Sequence, residues 1–366
     1  MFDPNATKVL AYELENRSLG LVIVETCILI VFAVAALVGN SCVLFVFYKS
    51  PDLRTVTNYY LITLAVSDFA FPVITMPPLI ATAATGRDMY GDQGKVIGFI
   101  GLSFALGSIL TTSLIAKNRF FCIVKPQLYK KFFKKKPAIC MIAGAWAIAI
   151  LGNVLLSLNG KIMFVFDPGQ MIYFPSSQDI YIARFFTALN QFLFVVLPLS
   201  LTVICYWKVY RSVKVHNATM ATNINTGPTN RNSFSKNEIQ VTKSLLALVC
   251  GSLFCWVPSA SIDQISLYVS LPRSVQMITI YAASSSSAIN PVIFYIFNRP
   301  FRRRFYQLFG HFLPISTVPS TSNESQTQGS NHTALTKVRR IQVKNAVPST
   351  TKSGLFSPSL NCSIGH

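Results

Sequence analysis

One carboxylate stands out in this sequence. Asp68, in Leu64-Ala65-Val66-Ser67-Asp68, is the lone charge in an apolar run from Val56 to Thr85. An ionisable group held inside an apolar segment is costly to keep there and usually marks an ion or ligand site. Two amides sit in comparable settings: Asn40 follows Gly39, and Asn290 precedes Pro291. An Asp held among Asn and Ser side chains can bind a small cation or hydrate a cavity; it can equally serve as a packing hydrogen bond between helices. Hydrolytic metal chemistry has no such starting point, because it needs His or carboxylate ligands on facing elements. The four histidines, His216, His311, His332 and His366, all lie outside the apolar runs, so no metal site is expected.

The elements that would hold these groups are membrane helices. The chain has 366 residues, is 51% hydrophobic and only 12% charged, and has a mean hydropathy of +0.46. Soluble proteins carry roughly 25% charged residues, so a water-facing surface cannot be built and a soluble enzyme is excluded. A bilayer-spanning helix needs about 20 predominantly apolar residues. Six segments without Lys, Arg, Asp or Glu qualify: Thr26–Tyr48, Val96–Ala116, Ala138–Gly160, Phe185–Trp207, Ser244–Ile262 and Ser274–Asn298. Val56–Thr85 makes seven. Because lipid leaves no solvent for backbone groups, these segments are helices. The fold class is therefore an all-α seven-helix membrane bundle with short connections. Prolines in Trp256-Val257-Pro258 and Asn290-Pro291 bend the last two helices, as a bundle that hinges at one end requires.

Charge sets the orientation. The formal net charge is +19; nucleic-acid binders share that sign but not this hydrophobicity, so no nucleic-acid partner is expected. With the N-terminus outside, 25 of the 32 Lys and Arg fall on the cytoplasmic side, as the positive-inside rule demands. Sequons at Asn5 and Asn16 would then be open to glycosylation. The organisation expected is an outer tail over residues 1–20, a bundle over 21–298, an interfacial amphipathic helix over 299–310 and a disordered cytoplasmic tail over 311–366. In that amphipathic helix Phe301, Phe305, Leu308 and Phe309 share one face opposite the arginines, a pattern suited to an anionic leaflet of the plasma membrane. The first 20 residues hold Asp3, Glu13 and Glu15 and no apolar run, so no cleavable leader is expected.

Taken together, Gly39-Asn40, Leu64–Asp68, Arg119, Trp146, Pro198 with Tyr206, Cys255-Trp256-Val257-Pro258 and Asn290-Pro291 occur one set per helix. Their order is similar to that of the rhodopsin-like (class A) G protein-coupled receptors over residues 21–310. The resemblance implies that Asp68, Asn40, Ser108 and Asn290 form a pocket for an allosteric sodium ion, with no other cofactor. It implies that Trp256 is the toggle beneath the ligand. Arg119 and Tyr206 would rearrange, with hinging at Pro258 and Pro291, when the inner end opens for a heterotrimeric G protein. It further implies a receptor kinase and an arrestin acting on Ser/Thr clusters in Ser316–Ser330.

Departures from the family pattern carry their own expectations. Asn118-Arg119-Phe120 replaces the acidic-Arg-Tyr motif, so no ion pair restrains Arg119 and basal activity is expected to rise. Phe294 takes the place of the NPxxY tyrosine, with Tyr295 on another face. Gly94 stands 25 residues before Arg119, where most members have a disulfide cysteine, and 161–184 holds no Cys. No disulfide is expected, and the second outer loop should be more mobile. Gly101 replaces the Asp of amine receptors, and Ser274–Asn298 lacks the Lys an opsin needs. The pocket candidates are Gly101, Asn190, Gln191, Phe194, Ser259, Asp263, Gln264 and Gln276, which suit a small neutral or weakly polar ligand. Asp263 reads equally as a solvated helix end. Within the family, Gly98-Phe99, Gly107-Ser108-Ile109, Ala116-Lys117-Asn118-Arg119 and Phe166-Asp167-Pro168 resemble the melatonin receptors most. The competing readings are a seven-helix protein that binds without signalling and a secondary transporter; the latter would want repeated halves and midplane charges.

Overall fold

The computed structural model describes residues 4–158, 160–222 and 236–310. Among these, α1 (Pro4–Glu15) precedes the first span, α2 (Leu19–Lys49). The second span is two helices, α3 (Val56–Ile74) and α4 (Met76–Thr85), broken at Thr75. Pro72, Pro77 and Pro78 surround that break; each removes a backbone donor and crowds the carbonyl a turn earlier. Thr75 ties the joint by donating its hydroxyl to the Phe71 carbonyl at 2.7 Å. The third span, α5 (Gly91–Val124), leads through a short α6 (Pro126–Phe132) into the fourth, α7 (Lys135–Leu158). The fifth comprises α8 (Ile180–Gln191) and α9 (Leu197–Thr222) around a π-helical turn at Phe192–Val196. Pro198 explains that turn: it cannot donate to Phe194, and Leu197 N–H reaches back five residues to Phe192 instead. The bundle closes with α10 (Lys236–Ser266) and α11 (Arg273–Phe297), followed by α12 (Arg299–Phe309).

Seven of these segments are long and apolar enough to cross a membrane. Large aliphatic side chains such as Val31, Val38, Leu151 and Leu155 point outward, the surface a lipid-embedded bundle presents. The buried apolar residues gather in three clusters, the smallest being Leu106, Ala149 and Phe194. At the inner end Val43, Tyr60, Leu64, Ile115, Leu245, Leu248 and Phe294 make one apolar cluster that Phe301 of α12 caps. At the outer end Leu14, Leu29, Met76, Leu79 and Met277 make another, which includes a residue of α1. Residues 1–20, read as a tail, thus hold a helix whose Leu14 is buried.

The first span starts earlier than its charge-free core, at Leu19, and takes in Glu25. That acid is tolerated because Arg17 Nη1 donates to it at 2.5 Å and Arg273 grips it with two bonds of 2.6 and 2.7 Å. Asp68 is therefore not the lone charge within the spans. Cys122 is disulfide-bonded, so the expectation of no disulfide is corrected; a count of cysteines says nothing about which pairs meet. Cys27, Cys42, Cys140, Cys205, Cys250 and Cys255 are free. The tail with Ser316–Ser330 lies outside the described residues.

The second outer loop is built rather than loose. Strands β1 (Met163–Asp167) and β2 (Ile172–Ser176) pair antiparallel, with Met163 opposite Ser176 and Asp167 opposite Ile172. At its tip Met171 adopts φ +58°, a left-handed conformation that costs a side-chain-bearing residue about 1–2 kcal/mol. The Met171 N–H donates to the Asp167 carbonyl at 2.7 Å, and its sulfur accepts from Arg273 at 3.3 Å. The hairpin's anchorage, and not a disulfide, holds this loop.

Candidate functional site

The floor of the site is built around Asp68, which is 2% exposed. Ser287 donates to one carboxylate oxygen at 3.0 Å and Asn290 to the other at 2.6 Å. Asn40 donates to the Ala36 and Ser287 carbonyls at 2.9 and 3.0 Å, while its own buried side-chain oxygen has no partner. Spans one, two and seven thus converge here. They can come so close because Gly39 faces Pro291: a Cβ at Gly39 would sit 2.8 Å from the proline ring. A carboxylate and an unspent amide oxygen are ligands of the kind a hard cation takes, and Ser108 lines the same cavity as Asp68.

Above the floor lies a cavity of about 190 Å³. Asp68, Ser108, Trp256, Ser259, Asp263, Gly101, Asn190 and Gln191 line it, and Phe166, Gln170 and Tyr173 of the hairpin cover it. Eight of the sequence-derived residues are therefore brought together. Phe194 and Gln276 are not among the lining. The π-helical turn swings Phe194 onto Gly152, where a Cβ would approach its ring tip within 2.6 Å, so its ring packs against span four. Gln276 donates to the Leu271 carbonyl at 2.9 Å and abuts Gly169. Asp263 is no solvated helix end: Gln170 donates to it at 2.7 Å.

The hairpin is seated by glycine. A Cβ at Gly94 would lie 2.0 Å from the Tyr173 ring, and one at Gly98 would lie 2.4 Å from the Tyr173 carbonyl oxygen. Tyr173 also donates its hydroxyl to Asp88. Its hydroxyl is consequently held protonated, since burial and the Asp88 and Asp92 charges all push its pKa up. Asp167 of β1 is buried and accepts from the Gly169 N–H at 2.9 Å. Burial raises its carboxyl to about 6 even though Gly169 and Gln170 N–H groups oppose the shift.

At the inner end Arg119 is buried and donates to the Thr57 hydroxyl. That hydroxyl in turn donates to Asn118 at 2.9 Å. Thr57 of span two thus links Arg119 and Asn118. Tyr206 is buried, and its hydroxyl has no partner. Phe294 is 1% exposed and packs toward Phe301, whereas Tyr295 points outward and its hydroxyl meets that of Tyr306 at 2.6 Å.

A sequence profile described as "7 transmembrane receptor (rhodopsin family)" matches residues 39–294. The chain belongs to this family. The receptor is 24% identical over 338 residues to "Rhodopsin, GQ-coupled" of Mizuhopecten yessoensis, covering 88% of this chain and 67% of that one. It is 28% identical over 326 residues to "Neuropeptide FF receptor 2" of Rattus norvegicus, covering 81% and 75%. The crystal structure of squid rhodopsin superposes with a TM-score of 0.68 at 22% identity, over 81% of this chain and 87% of that one. These relatives are receptors, not enzymes, and the receptor is a multi-pass membrane protein.

Three features escaped sequence reasoning. Thr57 gave no signal, because a threonine near a span end is unremarkable. Tyr173 had an indirect one: Gly94 and Gly98 are four residues apart, the spacing by which helices admit close neighbours. Arg17, Glu25 and Arg273 had a pattern of opposite charges flanking apolar runs, but no sequence spacing links residues 17 and 273.

Proposed function

We propose that the receptor binds a small, largely apolar ligand in this cavity and thereby activates a heterotrimeric G protein at its inner end. The observation that carries the reading is the single cavity running from the hairpin to Trp256 and Asp68. A ligand there contacts the helix that Pro258 bends and the polar floor that ties spans two and seven. It shifts the balance of closed and open states by its difference in affinity for the two. Sodium at Asp68, with Asn40, Ser108 and Asn290, favours the closed state in this reading. Opening frees Arg119 from Thr57 and gives the unpartnered Tyr206 hydroxyl a bonding partner. A receptor kinase and an arrestin would act on Ser316–Ser330. An affinity for melatonin-like ligands is supported by the sequence likeness in the third span and by Gly98 and Gly101 in the cavity wall, where flat rings need room.

The test is ligand-free G-protein activation across a panel of G-protein families, beside Arg119→Ala at matched surface expression. Basal output that falls in the variant is the expected result. Silence in both, persisting through a ligand screen that begins with indoleamines, would overturn it in favour of a seven-helix protein that binds without signalling.

A further inference from the structure

Among the described residues four acids lie in the interior: Glu25, Asp68 and Asp167 are buried and Asp263 is half-buried. Glu25 faces two guanidinium groups. Asp68 sits in the oxygen-rich floor, and Asp167 accepts backbone N–H groups within its own turn. Asp263 meets only neutral donors, the Gln170 amide at 2.7 Å and the Thr279 side chain. Among the described residues no ion pair reaches it, and no Lys, Arg or His lines the cavity. Two cations at the outer end are engaged elsewhere. Arg184 donates to the Leu267 carbonyl at 3.0 Å and lies over the Tyr268 ring, and Arg273 is spent on Glu25. Asp167, a second acid, lines the same small cleft under the hairpin as Asp263. An enclosed carboxylate without a countercharge is costly.

Placement completes the argument. Trp256, Ser259, Ala260 and Asp263 all line the cavity and fall at i, i+3, i+4 and i+7 of α10, one face of the helix. Seven residues rise about 10 Å, so the carboxylate stands about two turns above the Trp256 ring. We infer that the ligand is a small aromatic cation whose charged nitrogen pairs with Asp263 and whose ring lies toward Trp256. The sixth span would then supply the countercharge that Gly101 cannot. This rests on the reading of the cavity as the ligand site and replaces the neutral, N-acetylated melatonin-like ligand of that reading with a free amine. The nitrogen displaces the Gln170 amide from Asp263 or joins it; no covalent step is involved.

Purified full-length receptor in lipid nanodiscs would be melted with a panel of aromatic monoamines, each beside its N-acetyl derivative, tryptamine and N-acetyltryptamine among them. The expected result is that amines raise the melting temperature and their neutral partners do not. Asp263→Asn, which keeps an acceptor for Gln170, should weaken amine binding about tenfold or more. Asp263→Glu should retain the preference for amines. Equal binding of the N-acetyl compounds, unchanged amine affinity in Asp263→Asn, or no amine binding at all would overturn the inference. Arg119-dependent basal signalling measured on the same protein separates the two failures. If it persists while amines fail, only the cation assignment falls; if it is also lost, the receptor reading falls with it.

Discussion

Replacing Thr57 with Val is the sharpest test of how the inactive state is held. The substitution keeps the branched shape and removes the hydroxyl that accepts from Arg119 and donates to Asn118 at 2.9 Å. A buried hydrogen bond to a charged group contributes about 1.5–3 kcal/mol. If the bond exists only in the closed state, its loss shifts the closed–open balance by that amount. At about 1.4 kcal/mol per tenfold, the open population rises roughly tenfold to hundredfold until it saturates. The assay is ligand-free nucleotide exchange on the G protein that the wild type activates, at matched surface expression. Thr57→Ser restores the hydroxyl and should return output close to wild type. Asn118→Asp should lower it, because a carboxylate beside Arg119 adds a charged partner. Basal output in Thr57→Val equal to wild type would refute the reasoning, since the hydroxyl would then be irrelevant to the closed state.

Gly94→Ala places a Cβ 2.0 Å from the Tyr173 ring and should cost about 1–3 kcal/mol by overpacking, read as a lower melting temperature; Tyr173→Ala in the same chain should relieve most of the clash. Glu25→Gln leaves Arg17 and Arg273 buried without a carboxylate and should destabilise by about 3–5 kcal/mol, visible as loss of surface expression. Raising sodium should lower basal signalling in the wild type, and Asp68→Asn should remove that response; equal sensitivity in the variant would reject the sodium assignment. Asp167 binds its proton more tightly folded, at about 6, than an unfolded Asp at 3.8. Its contribution to stability is therefore full below about pH 4 and is lost as pH rises through 6, a change on the order of 2–3 kcal/mol. Melting temperature measured from pH 4 to 8 should lose that slope in Asp167→Asn.

The helical count, the inner amphipathic helix and most of the site were legible because they depend on local chemistry. Twenty apolar residues cross a membrane whatever surrounds them, and an intramembrane Asp at a helical face must find polar neighbours. The same logic placed Tyr295 away from Phe294, because one residue turns a helix by 100°; the structure sends its hydroxyl to Tyr306. What was not legible depends on side chains far apart in sequence. The charge that Glu25 brings into the first span is balanced by residues 17 and 273, so a window of apolar residues starts too late, at Thr26. Phe194 sits at the right depth for the cavity, but the π-helical turn before Pro198 rotates it onto Gly152. The hairpin was invisible for a related reason: a count of cysteines shows that 161–184 holds none and cannot show what takes the place of a disulfide there.

That replacement alters how this receptor responds to redox conditions. In a protein whose ligand-facing loop is held by sulfur, a thiol reagent loosens the mouth of the cavity, and correct assembly waits on an oxidising compartment. Here the loop rests on an aromatic ring seated over Gly94 and Gly98, which no reductant attacks. The outer half of the molecule should hold its shape in dithiothreitol, which has the Cys122 disulfide near Arg119 to attack but no bond in the hairpin.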